Sequence, residues 1–226
     1  MPAARAIDPI VRQALAIALA VGALGLSFGL LCADTGLGLP MSVALSTLVF
    51  AGSAQLAAVG VVADGGSALA AVAAGLLLNA RSVAFGVALA PILGGRLGRR
   101  LAESHLLIDE SAALAAAQSD PAAARRAFRA AGLAVLVLWN AGTVAGWLLT
   151  GAIDVEAAGL DVVIPAVFVA LLAPRLDDAA SRATALAGAA IALALTPVAP
   201  AGLPILLAAA GVGAGLLVAR RGEAAV

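Results

Sequence analysis

Gln55 is a primary amide within an apolar run, and it is the first residue of this sequence to suggest a binding site. The stretch TLVFAGSAQLAAVGVV, residues 47–62, surrounds it with aliphatic side chains and places Gly52 and Ser53 just before it. A glutamine amide can make about four hydrogen bonds, and hydrocarbon offers no partners for them. Gln55 and Ser53 therefore either form interhelical hydrogen bonds, worth about 0.6 kcal/mol each in membranes, or line a polar pathway. In the second case Gly52 marks a helix that is interrupted at a substrate site.

Arg81 lies deep within the next apolar run, residues 68–93, two positions after Asn79. An arginine at the centre of a membrane helix costs about 2.5–3.5 kcal/mol on the insertion scale, so it needs a carboxylate, carbonyl groups or water. Both ends of the run are more than about 15 Å away at a rise of about 1.5 Å per residue, which is too far for snorkelling. We expect either a role in a substrate pathway, which we favour, or a structural ion pair.

The stretch WNAGTVAG places Asn140 and Thr143 three residues apart, so both side chains lie on one face of a helix. We assign both to the candidate substrate pathway, since a buried amide needs hydrogen-bond partners whether or not a ligand is one of them. Three GxxxG steps are instead expected to be helix-packing surfaces. They are Gly25 with Gly29, Gly142 with Gly146, and Gly211 with Gly215.

His105, Asp109 and Glu110 are the candidates for proton coupling. They lie in SHLLIDESAALAAAQ, where a helix places His105 and Asp109 on one face and Glu110 about 100° round from Asp109. Carboxylates beside a membrane domain are suited to hold the titrating groups of a proton-coupled transporter. The alternative is a solvated amphipathic helix at the cytoplasmic interface.

The composition indicates an integral membrane protein of the all-α class. Hydrophobic residues make up 63% of the chain and charged residues 12%, with a mean hydropathy of +1.11, whereas soluble domains are about 45–50% apolar. The apolar runs are continuous rather than alternating, which favours helices over a barrel. Aromatic residues are only 3%, so close packing through small side chains is expected.

Several function classes lack the residues that they need. The 13 basic residues, all arginine, are balanced by 13 acids, and no basic face is left for nucleic acid. One cysteine and one histidine exclude an internal disulfide and a polyhistidine metal site. No phosphate-binding glycine loop followed by lysine is present, and a lone Ser53 with His105 is a weak signal for an intramembrane serine protease. We therefore expect neither an enzyme nor a cofactor.

The apolar runs predict six or seven membrane helices in a single transmembrane domain, residues 1–226. A charged cytoplasmic or interfacial segment at residues 94–129 divides them. We take the first run as a membrane helix rather than a signal peptide, because no small-x-small cleavage site follows it. The runs are 13–31, 42–62, 68–93, 131–150, 160–174, 183–199 and 202–219.

The arginines predict the orientation. The positive-inside rule places both termini in the cytoplasm and the acidic loop with Asp154 and Asp161 outside. The runs at 42–62 and 68–93 must then supply an odd number of crossings, whereas two full helices give an even number. Either one run is broken or re-entrant, for which residues 50–56 are the natural place, or a helix at 106–119 also crosses and one arginine cluster lies outside.

Several motifs resemble, in order and spacing, those of the AzlC family, the large subunit of branched-chain amino acid exporters. They cover about residues 15–175 and are SFG, FAGSAQLAA, NAR followed by FG, APIL, DESAALA, WNAGTVAG and GLDVVIPAVFVALLAP. Two positions depart from the family pattern, since Leu45 stands where Met is usual and Ser82 where His is frequent. On this resemblance the family's motif residues are Gln55, Asn79, Arg81, Asp109, Glu110, Asn140, Thr143 and Asp161.

The resemblance implies export of small neutral aliphatic amino acids across a bacterial inner membrane, driven by protons and assisted by a small AzlD-like membrane protein. The substrate carboxylate would suit Arg81 or the N–H groups of a helix break near Gly52, and the ammonium needs carbonyl groups or an acid. Alanine-rich walls suit a branched aliphatic side chain. The alternative is a non-transporting membrane scaffold or a channel component.

Overall fold

The structure, a computed structural model, describes residues 7–152, 169 and 172–223. This part of the chain forms helices and no β-strand, which confirms the all-α prediction. A π-helical turn at Leu45–Val49 and short 3-10 turns at Ala173–Arg175 and Ala209–Gly211 accompany them. The helices are α1 (Pro9–Asp34), α2 (Leu39–Ala44), α3 (Gly52–Ala63), α4 (Ala68–Asn79), α5 (Arg81–Leu93), α6 (Leu97–Ser104), α7 (Asp109–Ala116), α8 (Pro121–Leu149), α9 (Ala179–Leu195), α10 (Leu203–Ala208) and α11 (Val212–Glu223).

Four helical stretches among the described residues are long and apolar enough to cross a membrane: Pro9–Asp34, Ala68–Leu93, Pro121–Leu149 and Leu203–Arg221. A crossing needs about 20 apolar residues for a hydrocarbon core of about 30 Å. The class, a multi-pass all-α membrane protein, is therefore as predicted. The predicted helix at 160–174 and the acidic loop before it fall mostly outside the described residues.

Two of the long helices begin with the same local signal, an aspartate followed by proline. Asp8 Oδ1 accepts from the N–H of Ile10 at the start of α1, and Asp120 Oδ2 accepts from the N–H of Ala123 at the start of α8. The proline that follows each aspartate has no N–H to leave unsatisfied. The predicted apolar run at 131–150 starts too late for α8, because the cap at Asp120 begins this helix ten residues earlier, inside the charged segment.

The chain divides into two compact units, one formed by residues 1–55 with 79–153 and the other by residues 56–78 with 154–226. Each unit has its own helix packing. The single transmembrane domain expected over residues 1–226 stays a prediction, because two compact units are compatible with one transport domain or with two.

The first unit is organised around α1 and α8, which meet through glycine. A Cβ added to Gly25 would lie 2.6 Å from the carbonyl oxygen of Trp139, and one added to Gly142 would meet the carbonyl oxygen of Gly22. The two backbones are therefore in direct contact, as small residues allow in membrane helix pairs. Gly29 and Gly146 make equally close approaches, so both GxxxG steps are packing surfaces, as predicted.

The second unit contains the third GxxxG step. A Cβ added to Gly211 would lie 2.8 Å from the carbonyl oxygen of Thr184 in α9, and one added to Gly215 would lie 2.8 Å from the carbonyl oxygen of Ala180. This step is also a packing surface, as predicted. A small apolar core elsewhere in the unit contains Val61, Ala71 and Ala74.

The apolar run at 42–62 is not one helix, which confirms the predicted broken segment. α2 passes into the π turn, and the chain then adopts a left-handed conformation at Phe50, with φ 39° and ψ 53°, before α3 begins at Gly52. A non-glycine residue in this region costs roughly 1–3 kcal/mol and is found where surrounding contacts hold it. The break falls at Phe50, two residues before the glycine that suggested it.

The charged segment, residues 94–129, forms α6, α7 and the first turns of α8. Glu103 holds it together by accepting from Arg99 Nε and Arg129 Nε, both at 2.9 Å. Burial raises the pKa of Glu103, but its hydrogen bonds and charge attraction to these arginines outweigh burial and leave the pKa below its usual value.

Two predictions about the charged segment were wrong. His105 ends α6 and Asp109 begins α7, so they do not share one helical face. α7 has eight residues and is about 12 Å long, which is too short to cross the membrane as the helix proposed at 106–119 would have to. Of the two explanations offered for the count of crossings, the broken helix is the one that the structure contains.

Candidate functional site

The site is built at the break between the π turn and α3. Gln55 Nε2 donates a 2.6 Å hydrogen bond to the carbonyl oxygen of Leu45, ten residues earlier and on the other side of the break. The amide therefore joins the two parts of the interrupted helix. Gln55 is 2% exposed, and its Oε1 has no hydrogen-bond partner among the described residues.

The first turn of α3 presents backbone N–H groups at the break. The N–H of Gln55 donates to the carbonyl oxygen of Ala51 at 2.9 Å, and the N–H groups before it belong to the first turn of a helix, where intrahelical partners are missing. Such a helix end carries partial positive charge and favours a carboxylate. The break thus provides an anion-binding end within an apolar run.

Polar side chains attach the π turn to α8. Ser46 Oγ and Thr143 Oγ1 share a hydrogen bond of 3.1 Å, and Thr47 Oγ1 donates to Asn140 Oδ1 at 2.7 Å. Asn140 Nδ2 in turn donates to the carbonyl oxygen of Leu136. The two α8 residues share a face, as predicted, and their hydrogen bonds position the broken helix.

Arg81 joins two other predicted site residues, Ser53 and Asp109. Its Nη2 donates to Ser53 Oγ at 2.7 Å and lies 3.1 Å from Asp109 Oδ2. The side chains of Arg81 and Asp109 are 40% and 21% exposed, so the pair is open on one side. Because Ser53 is in the first turn of α3, the guanidinium lies beside the end of the helix that favours anions. The ion pair that the sequence left open is present, and it lies at the break.

Of the other two coupling candidates, Glu110 is the chain neighbour of Asp109, and His105 lies beside Phe50 at the break. Glu110 follows Asp109 in α7, outside the long apolar helices. Burial and the negative charge of Asp109 raise its pKa, and these effects outweigh the hydrogen bond from its own backbone N–H and the attraction of Arg81, which lower it. His105 is exposed, and its ring lies 5.7 Å from the ring of Phe50, centroid to centroid. The sequence had given no sign that His105 contacts the break.

Asn79 is not connected to Arg81 by a hydrogen bond among the described residues. Its Oδ1 accepts from Ser82 Oγ at 2.8 Å, across an interruption at Ala80 between α4 and α5. Ala80 keeps a right-handed helical conformation, so the predicted run at 68–93 remains one candidate membrane span. Asp161, the last predicted pathway residue, lies outside the described residues.

Trp139 is the residue that sequence reasoning missed. Its ring stacks on Phe28, with centroids 5.8 Å apart, and covers Gly52, where an added Cβ would lie 3.1 Å from Trp139 Cη2. Trp139 is 3% exposed, and its Nε1 has no hydrogen-bond partner among the described residues. The signal was present in WNAGTVAG, where the indole stands beside Asn140.

These groups suit the binding of a small charged or zwitterionic molecule better than bond-making chemistry. A guanidinium, a carboxylate, an amide and a helix end surround the break, and no group of three or more His, Cys, Asp or Glu side chains among the described residues is placed to hold a metal ion. Long apolar helices around such a polar break define a multi-pass all-α membrane protein with a polar site inside it.

A protein family described as AzlC protein matches residues 16–153, which is more than half of the chain. The chain belongs to this family. The family is associated with branched-chain amino acid transport rather than with catalysis. The match includes the break, α5, α7 and α8, and therefore all of the contacts that form the candidate site. No curated protein and no solved structure matches the chain.

Proposed function

We propose that this protein exports small neutral aliphatic amino acids, such as valine, leucine and isoleucine, from the bacterial cytoplasm across the inner membrane. The observation that supports it best is the position of Arg81, which lies between Ser53, at the start of α3, and Asp109. This arrangement offers a cation and an anion side by side at a helix break. Membership of a family associated with transport points in the same direction.

The charges at the break match a zwitterion. The substrate carboxylate binds Arg81 and the N–H groups of the first turn of α3, while the ammonium binds Asp109. A zwitterion inserted between Arg81 and Asp109 gives each charge a new partner and adds no net charge to a site of low dielectric. A substrate with a charged side chain would leave one charge uncompensated. The aliphatic side chain suits the alanine-rich surroundings.

Protons are the proposed coupling ion, and Glu110 is the proposed carrier. Its pKa is raised by burial and by its neighbour Asp109, so it takes up a proton closer to neutral pH than an ordinary glutamate does. A proton on Glu110 removes one of two adjacent negative charges and changes the field at Arg81. Asp109 and His105 are the other candidates.

We further propose that a small AzlD-like membrane protein is the partner and that both termini are cytoplasmic.

A dipeptide-loading assay tests this function. Cells that produce the chain with the small partner are loaded with valine-containing dipeptides, and intracellular valine is followed against a higher external concentration. An exporter lowers intracellular valine below the external level and stops when an uncoupler collapses the proton gradient. A channel only equilibrates the two concentrations, and a scaffold changes neither. Intracellular valine, leucine, isoleucine and methionine that match those of cells without the chain would exclude this substrate class.

A further inference from the structure

Trp139 and Gln55 carry the two buried polar atoms at the break that the proposed function has not used. Trp139 Nε1 is a donor and Gln55 Oε1 is an acceptor, and neither has a partner among the described residues. Both residues are more than nine-tenths buried. A buried donor or acceptor without a partner costs about 1–3 kcal/mol, so two of them at one place call for an explanation.

Contacts with α3 place the two residues beside the same end of the helix. The Trp139 ring covers Gly52, the first residue of α3, and Gln55 lies three residues later, on the same face of the helix. The Nε2 of Gln55 is engaged by the carbonyl oxygen of Leu45, which fixes the orientation of the amide and leaves Oε1 as its free atom.

Arg81 approaches the same helix end from another side. Its contact is Ser53, which lies about 100° round the helix from Gly52. The N–H groups of a first turn point along the helix axis, so a ligand on that axis can be reached both from the side of Trp139 and from the side of Arg81.

We propose that Trp139 and Gln55 complete the amino acid site, with Trp139 Nε1 donating to the substrate carboxylate and Gln55 Oε1 accepting from the ammonium. A carboxylate has about four acceptor positions and an ammonium three donors, so the partners already assigned leave room for both. This inference rests on the proposed function and adds Trp139 and Gln55 as residues that contact the substrate directly. Stacking on Phe28 and contact with Gly52 hold the indole in position.

Fluorescence tests the proposal because the chain has two tryptophans and no tyrosine. Trp147 donates to the carbonyl oxygen of Leu37 and has a structural partner. In the purified full chain with Trp147→Phe, Trp139 is the only strong fluorophore, and its emission should change with L-valine in a saturable manner. The matched variant Trp139→Phe keeps a ring on Phe28 and leaves Trp147 as the reporter, whose emission should not respond.

Binding of radiolabelled L-valine is measured in parallel, with melting temperatures to show that both variants are folded. Trp139→Phe should weaken binding roughly tenfold or more, the expected loss for one hydrogen bond to a charged group, while Trp147→Phe binds as the unmodified chain does. Unchanged affinity in Trp139→Phe, or constant Trp139 emission at saturating valine, overturns the proposal and leaves the proposed function intact. An unmodified chain that binds none of the aliphatic amino acids, even when it is purified together with the small partner, overturns both.

Discussion

The side-chain amide of Gln55 donates a 2.6 Å hydrogen bond to the carbonyl oxygen of Leu45 across the break at Phe50. An interrupted helix leaves carbonyl groups without partners on one side and N–H groups on the other. A glutamine that reaches across compensates one of these carbonyls and holds the two parts at a set distance. The polar residue that looked misplaced in an apolar run is therefore part of what allows the break to exist.

Gln55→Glu tests this bond. At neutral pH the new carboxylate cannot donate to Leu45, so the free energy of unfolding should fall by about 1–3 kcal/mol. Protonation restores a donor, so the loss should shrink as the pH is lowered toward 5. Thermal unfolding at the two pH values measures this effect. Gln13→Glu, at an exposed position of α1, is the control and should change little; equal effects at both positions would contradict the role of the bond.

Arg81→Ala should leave membrane abundance and thermal stability nearly intact while abolishing export. The pair with Asp109 is partly exposed, and such pairs contribute about 0–1 kcal/mol. Arg81→Lys should restore little, because a point charge does not reproduce a bidentate fork. Export assays with immunoblots measure both effects, and Arg126→Ala is the control.

A double-mutant cycle separates function from structure at the same pair. If Arg81→Ala is lost from the membrane and Asp109→Ala rescues it, the arginine is half of a structural ion pair and the substrate role fails. If instead both single variants are abundant and inactive, the pair belongs to the transport site.

Glu110→Gln should make the stability less dependent on pH. The pKa of Glu110 is raised in the folded protein, mainly by burial, so the folded chain binds more protons than the unfolded chain above the ordinary glutamate pKa of about 4.3. Its contribution to stability is therefore fully present below that value and is lost as the pH rises through the raised pKa. The glutamine variant should melt at a higher temperature than the original at neutral pH. A melting curve with the same pH dependence in both proteins would contradict the burial of this carboxyl group.

Gly142→Ala should destabilise the packing of α1 against α8. An added methyl group would meet the carbonyl oxygen of Gly22 and lie 2.9 Å from the backbone nitrogen of Leu26. Backbone atoms cannot move aside as a flexible side chain does, so the cost is about 1–3 kcal/mol. Gly98→Ala in α6, where nothing lies within 4 Å, should be neutral or stabilising. Thermal unfolding compares the two variants, and equal melting temperatures would refute the close contact.

Ala157→Cys tests the orientation. On a Cys32→Ser background, a membrane-impermeant thiol reagent should label this cysteine from the periplasmic side, because the acidic loop lacks arginine and both termini are expected inside. Labelling from the cytoplasmic side alone would reverse the predicted topology. Cysteines placed in the arginine-rich residues 96–100, at the start of α6, are the opposite control.

The sequence by itself determined the class of this protein. Continuous apolar runs with 63% hydrophobic residues are compatible only with membrane helices, because hydrocarbon requires every backbone group to be paired within its own segment. Local signals also predicted the GxxxG packing surfaces and the break, since glycine and glutamine near Phe50 violate the pattern around them. Arg81 was predicted to be a site residue because burying its charge is costly at any position in a run.

Only the tertiary structure decided which polar groups meet. The contact of Arg81 with Ser53 and Asp109 joins three different helices. It depends on how α3, α5 and α7 pack against one another, and no periodic pattern in the sequence encodes that packing. The turn between α6 and α7 separates His105 from Asp109, although their spacing suggested one helical face. Trp139 was missed because an aromatic residue in an apolar helix is ordinary by composition. Its proposed role rests on its contact with Gly52 and on an indole N–H for which the described part of the chain supplies no partner.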